Sequence, residues 1–130
     1  MMNPRVSLIL AAYNAAEYIE RWFERNVFAQ TFRPFEVVMV NDGSTDQTEA
    51  IAKQYATKLE TLGIHFHYEY QQNQGVGCAT NTALKMFTGD YLALIDHDDF
   101  LTPDSIEKRV LFLETRPDYG FVRSDGIIFN

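Results

Sequence analysis

A chain of 130 residues, 46% hydrophobic and 22% charged, has the composition of one globular domain long enough to bury a core without staples. A net charge of −7 argues against a nucleic-acid or anionic-membrane surface, because either would need clustered Lys and Arg. An anionic ligand would have to be held through a metal, backbone N–H groups or a few local cations. The lone Cys78 rules out an internal disulfide and suits a reducing compartment. No signal-peptide pattern opens the chain and no apolar run approaches the roughly 18 residues of a membrane span, so a soluble, cytoplasmic protein is expected.

In chain order, Val6 to Ala12 is an apolar run that predicts a buried strand. It ends at Tyr13-Asn14, where Asn14 is expected to cap a helix with Glu17 closing the box. Tyr18/Ile19, Trp22/Phe23 and Val27 then recur at helical spacing until Thr31 to Pro34 breaks the pattern. Phe35 to Val40 predicts the second strand. It runs into Asn41-Asp42-Gly43-Ser44-Thr45-Asp46, in which Gly43 permits a tight turn and Ser44 or Thr45 is expected to cap the next helix. Ile51, Tyr55 and Leu59 form that helix's inner face, and Gly63 closes it.

Ile64 to Tyr70 alternates, as a strand with one wetter side does at a sheet edge. Asn73 to Gly77 leads into a helix expected to turn Val76, Ala79, Ala83 and Met86/Phe87 inward. Tyr91 to Ile95 reads as a strand buried on both faces, stopping at Asp96-His97-Asp98-Asp99. Thr102 is expected to cap a last helix with Pro103 at its first position and Ile106, Val110 and Leu113 buried. Short strands are expected at Tyr119 to Arg123 and Ile127 to Phe129.

Strand alternating with helix predicts an α/β fold with a largely parallel sheet, helices on both faces and right-handed crossovers. Ligands of such sheets lie beyond the carboxyl ends of the strands, so Tyr13-Asn14, Asn41-Asp42 and Asp96 to Asp99 belong to one edge. Three carboxylates in four residues repel one another unless a cation neutralises them, and oxygen ligands suit Mg²⁺ or Mn²⁺, which commonly carries a diphosphate. The alternative is an acidic loop that solvates or caps the following helix. Asp98 is the leading metal ligand. Asp96 points the same way and serves as a direct or water-mediated ligand or as an acceptor for a ribose hydroxyl. Asp99 reads better as a carboxylate approaching the next helix.

Asp42 offers an acceptor to an imide or amide N–H of a base, or else stabilises its turn. Tyr13 offers a face for stacking, or else packs over the first helix. Asn73 and Asn81 read as caps before ligands. Gly75-x-Gly77 lacks the third glycine of a dinucleotide fingerprint. His65 and His67 share a face without the partners of a zinc site, and Cys78 and Trp22 are expected in the core.

Four segments, Val6 to Asn14 (VSLILAAYN), Val37 to Thr48 (VVMVNDGSTDQT), Asn73 to Asn81 (NQGVGCATN) and Gly89 to Asp99 (GDYLALIDHDD), together resemble glycosyltransferase family 2 proteins. The resemblance implies a Rossmann-like GT-A nucleotide-binding fold over residues 1–130. It implies an inverting, metal-dependent transfer from a nucleotide-diphosphate sugar to an acceptor hydroxyl, in polysaccharide or glycoconjugate synthesis. It places Tyr13, Asn14, Asp42, Asn81 and Asp96 around the nucleotide, and Asp98 with Asp96 on Mn²⁺ or Mg²⁺. Ala11 stands where the family has Pro, Asn41 where it has Asp, and Thr80 where it has Arg. Family members continue beyond the equivalent of Asn130, so the chain is expected to be a donor-binding part truncated at its C-terminus, with the general base beyond residue 130. A binding module without catalysis is the alternative, and an aspartyl-phosphate hydrolase reading Asp96-x-Asp98 as nucleophile and acid is a second.

Overall fold

The computed structural model describes residues 4–34 and 36–127. Four strands, β1 (Val6–Ala12), β2 (Glu36–Asp42), β3 (His65–Gln71) and β4 (Tyr91–Leu94), form one sheet in the order β3-β2-β1-β4. Every pairing is parallel: Leu8 lies beside Val37 and Ala93, and Val38 beside His67. Helix α1 (Ile19–Phe23) continues as a π-helical turn over Glu24–Phe28, and α2 (Thr48–Thr61), α3 (Val76–Leu84) and α4 (Ser105–Thr115) follow.

The two central strands are the two continuous apolar runs, because each needs a dry layer on both faces. On one face Leu8, Leu10, Val37 and Met39 pack with Trp22 and Phe23 of α1, Tyr55 and Leu59 of α2, and Ile106 and Val110 of α4. On the other, Ile9, Val38 and Val40 meet Ala79 and Ala83 of α3, whose small side chains let the helix lie close to the strands. Each large side chain removed from water in this way contributes about 1.5–3 kcal/mol before the entropy of ordering it is subtracted.

Strand β3 is an edge, as its alternation predicts: Phe66 and Tyr68 pack against the larger core while His65 stands exposed. Strand β4 is the other edge, which corrects the expectation that it is buried on both faces. Tyr91, Ala93 and Ile95 pack inward, but α3 lies mainly over β1 and β2, and Leu92 and Leu94 remain 39% and 56% exposed.

Helix starts are where the sequence reading departs most. Asn14 caps nothing: its φ is +48°, α1 begins five residues later behind Tyr18, and its side chain binds another loop. Ser44 and Thr45 likewise face Asn14, and α2 starts behind Gln47 without a side-chain cap. The last helix starts at Ser105 behind Asp104, so Thr102 and Pro103 form the preceding turn, with the Ser105 N–H donating to the Thr102 carbonyl. Residues 119–127 hold no strand; Phe129 lies outside the described residues, as does Phe35 at the expected start of strand two.

At the amino end of the strands, one buried carboxylate joins several elements. The Glu36 side chain accepts hydrogen bonds from the Ser7 hydroxyl (3.1 Å) and from the amide and hydroxyl of Thr88 (2.5 and 2.7 Å), and lies 3.1 Å from His67 Nε2. Burial works to raise its pKa, but the Thr88 and Ser7 hydrogen bonds and the neighbouring His67 hold it below the ordinary 4.5. Gly89 is needed beside this cluster: its N–H donates to Ser7 Oγ, and a Cβ there would collide with that oxygen and lie 2.9 Å from the Arg5 carbonyl.

Candidate functional site

At the opposite, carboxyl end of the strands, a cleft of roughly 300 Å³ is lined by Ala11 and Ala12 at the end of β1, Tyr13 just after it, Asp42 at the end of β2, Val76 and Ala79 of α3, and Asp96, His97 and Asp98 after β4. Tyr13, Asp42 and the Asp96/Asp98 pair, from three segments dozens of residues apart in the chain, thus line one cleft. Val76 does not turn inward as expected: it is 67% exposed and stands at the cleft.

The loops after β1 and β2 are stitched together by polar side chains. Asn14 Oδ1 accepts from the Thr45 N–H (2.8 Å), the Asn14 N–H donates to Ser44 Oγ (2.9 Å), and the Ala15 N–H donates to Thr48 Oγ1 (2.9 Å). Asp46 accepts from the N–H groups of Ala16 and Thr48. Burial works to raise the Asp46 pKa, yet the Thr48 hydroxyl and these amides hold it below the ordinary value. These loops therefore present Tyr13, 48% exposed, on a braced backbone.

Asp42 is 2% exposed and nearly saturated. Its Oδ1 accepts from Gln71 Nε2 and the Gln74 N–H, both at 2.9 Å, and its Oδ2 accepts from the Gly75 N–H at 2.9 Å and Asn73 Nδ2 at 3.4 Å. Burial pushes its pKa up, but the Gln71 amide and the two backbone N–H groups win and hold it below the ordinary 3.8. Asn73 caps no helix; it donates to the Asp42 carbonyl (3.0 Å). Gly43, at φ +76°, turns the chain so close to this loop that a Cβ would lie 2.6 Å from the Asn73 nitrogen.

The acidic segment is moored from beneath. Trp22 Nε1 donates to the Ile95 carbonyl (3.2 Å). Asn26, fully buried in the π-helical turn, donates to the Asp99 carbonyl (3.0 Å) and accepts from the Leu101 N–H (2.8 Å). Gln30 donates to the Thr102 carbonyl and accepts from the Ile106 N–H. Above these anchors, Asp96, Asp98 and Asp99 are exposed, with one carboxylate oxygen of each within 4.8 Å of the others. Among the described residues, no group donates a hydrogen bond to any of the three carboxylates and no Lys or Arg pairs with them. Burial and the repulsion of Asp96 and Asp98 raise the Asp99 pKa. Three unpartnered hard oxygen donors in reach of one point fit Mg²⁺ or Mn²⁺ better than softer metals. His97, between them, leans on Tyr18 with ring centroids 5.5 Å apart.

Not every candidate joins the cleft. Asn14 lends its side chain to Thr45, and Asn81 stands exposed on α3 away from the lining. Cys78 is exposed, not packed in the core, because it lies on the outward side of α3 beside buried Ala79. His67 serves Glu36 at the far end of the sheet. Sequence reading missed Asn26, Gln30 and Gln71. Asn26 carried a signal, being a polar residue at helical spacing from Trp22 and Phe23, on the face those residues bury.

Residues 7–127 match the family model described as Glycosyl transferase family 2. An uncharacterized glycosyltransferase of Rickettsia typhi is 37% identical over 111 residues, covering 85% of this chain and 32% of that protein. Residues 1–349 of S. aureus TarS in complex with UDP superpose with a TM-score of 0.74 at 29% identity, covering 87% of this chain and 33% of that one. The mannosyltransferase PcManGT from Pyrobaculum calidifontis, in complex with GDP-Man and Mn²⁺, gives a TM-score of 0.74 at 30% identity over the same shares. The chain thus spans about a third of the length of each of these proteins.

Proposed function

The chain belongs to glycosyl transferase family 2 and has the GT-A fold, and from that premise we propose that it is the donor-binding part of an inverting, metal-dependent glycosyltransferase. The whole protein moves a sugar from a nucleotide diphosphate to an acceptor hydroxyl, in cytoplasmic synthesis of a polysaccharide or glycoconjugate. The observation that carries this reading is the contrast inside one cleft: a buried carboxylate held by the fold's own donors, with only Oδ2 able to accept more, on one wall, and exposed carboxylates that receive no hydrogen bond among the described residues on the other.

Tyr13 supplies a face for the nucleobase, and Asp42 an acceptor for a ring imide or amide N–H, which uracil, thymine and guanine carry and which cytosine and adenine, with exocyclic amino donors only, lack. Asp98 and Asp96 would hold Mg²⁺ or Mn²⁺. The bound ion supplies Lewis-acid stabilisation of the departing diphosphate. With Thr80 in the family's Arg position, α3 offers no cation of its own there, so the diphosphate charge would be offset by the cation that the acidic loop would hold. In the inverting displacement the acceptor oxygen bonds to the anomeric carbon as the bond to the diphosphate breaks. A general base outside these 130 residues takes the hydroxyl proton.

Calorimetry with UDP-, dTDP- and GDP-sugars, with and without Mn²⁺, tests the reading. Binding that requires the metal and disappears in Asp98→Ala is expected. Equal binding without metal, or by Asp98→Ala, would sink the metal role. Metal-dependent binding that yields no product with any acceptor when the whole protein is assayed would identify a binding module.

A further inference from the structure

The end of β3 carries a residue that family membership does not explain. Gln71 sits between two walls: its Nε2 donates to Asp42 Oδ1 (2.9 Å) and its Oε1 accepts from Thr82 Oγ1 (2.7 Å), in the second turn of α3. The direction of this chain is forced. An ionised carboxylate only accepts, so Gln71 must turn its NH₂ to Asp42 and its carbonyl to Thr82. The single Thr82 hydroxyl proton then goes to Gln71, although the Cys78 carbonyl lies 3.1 Å away as an alternative acceptor.

The consequence falls on Asp42. With Gln71 and the Gln74 N–H on Oδ1, both acceptor sites of that oxygen are filled. Oδ2 holds the Gly75 N–H and only a long 3.4 Å contact to Asn73, so it is the oxygen with acceptor capacity to spare. The same carboxylate restrains the Gln74–Gly75 corner that opens α3, where Gly75 has φ +97° and no side-chain cap of its own. Two residues at the cleft, Val76 and Ala79, follow directly from that corner.

We propose that Gln71, oriented by Thr82, is a positioning residue of the donor pocket: it locks Asp42 so that Oδ2 alone reads a base N–H, and it holds the 74–75 corner against that carboxylate. The base-reading half of this rests on the donor-site function proposed above; the restraint of the corner does not.

Two readouts on the same variants test it. By amide hydrogen exchange, the Gln74 and Gly75 N–H groups should be protected in the parent chain. They should exchange at least about tenfold faster in Gln71→Leu, faster by a smaller factor in Thr82→Val, and at nearly the parent rate in Thr82→Ser, which keeps the hydroxyl. By calorimetry with Mn²⁺ present, Gln71→Leu should weaken UDP about tenfold and collapse the preference for UDP over CDP. Mn²⁺ binding without nucleotide should stay within about twofold, because Asp96 and Asp98 lie on the other wall. A general loss of structure would move metal and nucleotide together, so the split separates positioning from scaffolding.

Unchanged protection of both amides in Gln71→Leu would overturn the proposal. So would loosened amides with an unaltered UDP:CDP ratio, which would make Gln71 a scaffold only. A parent chain that binds no nucleotide diphosphate would overturn the donor-site reading, and the exchange result alone would then decide whether Gln71 restrains the corner.

Discussion

Strand β2 begins and ends on a buried carboxylate, Glu36 at the amino end and Asp42 at the carboxyl end, while the segment after β4 carries three exposed ones. The β2 pair is surrounded by donors from several elements, and the net effect on both pKa values is downward. The β4 cluster receives no donor among the described residues, and its Asp99 is shifted upward. A protein satisfies the carboxylates it uses to hold itself together, because an unpaired buried charge costs several kcal/mol. Leaving the other three without partners keeps mutual repulsion in the folded chain, and a hard cation relieves that repulsion. The comparison separates acids whose donors the fold supplies, Asp42 keeping only Oδ2 for anything further, from acids that the described residues leave without a donor.

The largest expected effect that sharpens this contrast is at the structural end. Glu36→Ala strands the Ser7 and Thr88 donors and opens a cavity between strands, so it should cost about 3 kcal/mol in urea unfolding. Donor and Mn²⁺ affinity of the remaining folded fraction should stay at the parent level. A loss below about 1 kcal/mol would break the assignment of Glu36 as the joint of the sheet's lower end.

Next in size is Gly43→Ala, where φ +76° and the 2.6 Å approach to the Asn73 nitrogen leave no room for a methyl. About 1–3 kcal/mol of destabilisation is expected. Weaker nucleotide binding should accompany it, because the displaced 73–75 loop is the one Asp42 holds.

The pH dependence of stability follows from the same pair. Both folded pKa values lie below the ordinary 4.5 of Glu36 and 3.8 of Asp42. Their stabilisation is therefore complete above those unfolded values and is lost as pH falls through the depressed folded ones. Urea midpoints measured between about pH 3 and 6 should fall on acidification, and Glu36→Gln should flatten the fall. The same slope in Glu36→Gln as in the parent would break the link.

The smallest effect on stability, and the most diagnostic, belongs to Asp98→Asn. Removing one charge from a mutually repelling cluster should leave the urea midpoint unchanged or slightly raised, while Mn²⁺ affinity drops by more than about tenfold. A clear loss of stability would place Asp98 among the structural acids and erase the distinction.

Much of the fold was legible because hydrophobic periodicity is local. Val6 to Ala12 and Val37 to Val40 read as interior strands and are, and the alternation of Phe66 and Tyr68 with His65 and His67 marked an edge. The helix starts were not legible, since Asn14, Ser44 and Thr45 have the chemistry of caps and were instead recruited by one another across loops some thirty residues apart. Strand β4 misled for a related reason: Leu92 and Leu94 look interior, and only the position of α3 over β1 and β2 leaves them uncovered.

What the sequence by itself determined is the alternation of strand and helix, and with it the meeting of Tyr13, Asp42, Asp96 and Asp98 at one end of a parallel sheet. That outcome follows from chain direction: parallel strands send the residues that end them to the same side. What only the tertiary structure decided is which acids are satisfied. Hydrogen bonds from Gln71, Gln74 and Gly75 to Asp42, from Thr88 and Ser7 to Glu36, and the mooring of the acidic loop by Asn26 join residues distant in the chain. No local pattern encodes such pairings, because a carboxylate's partners are set by where the folded backbone brings its donors.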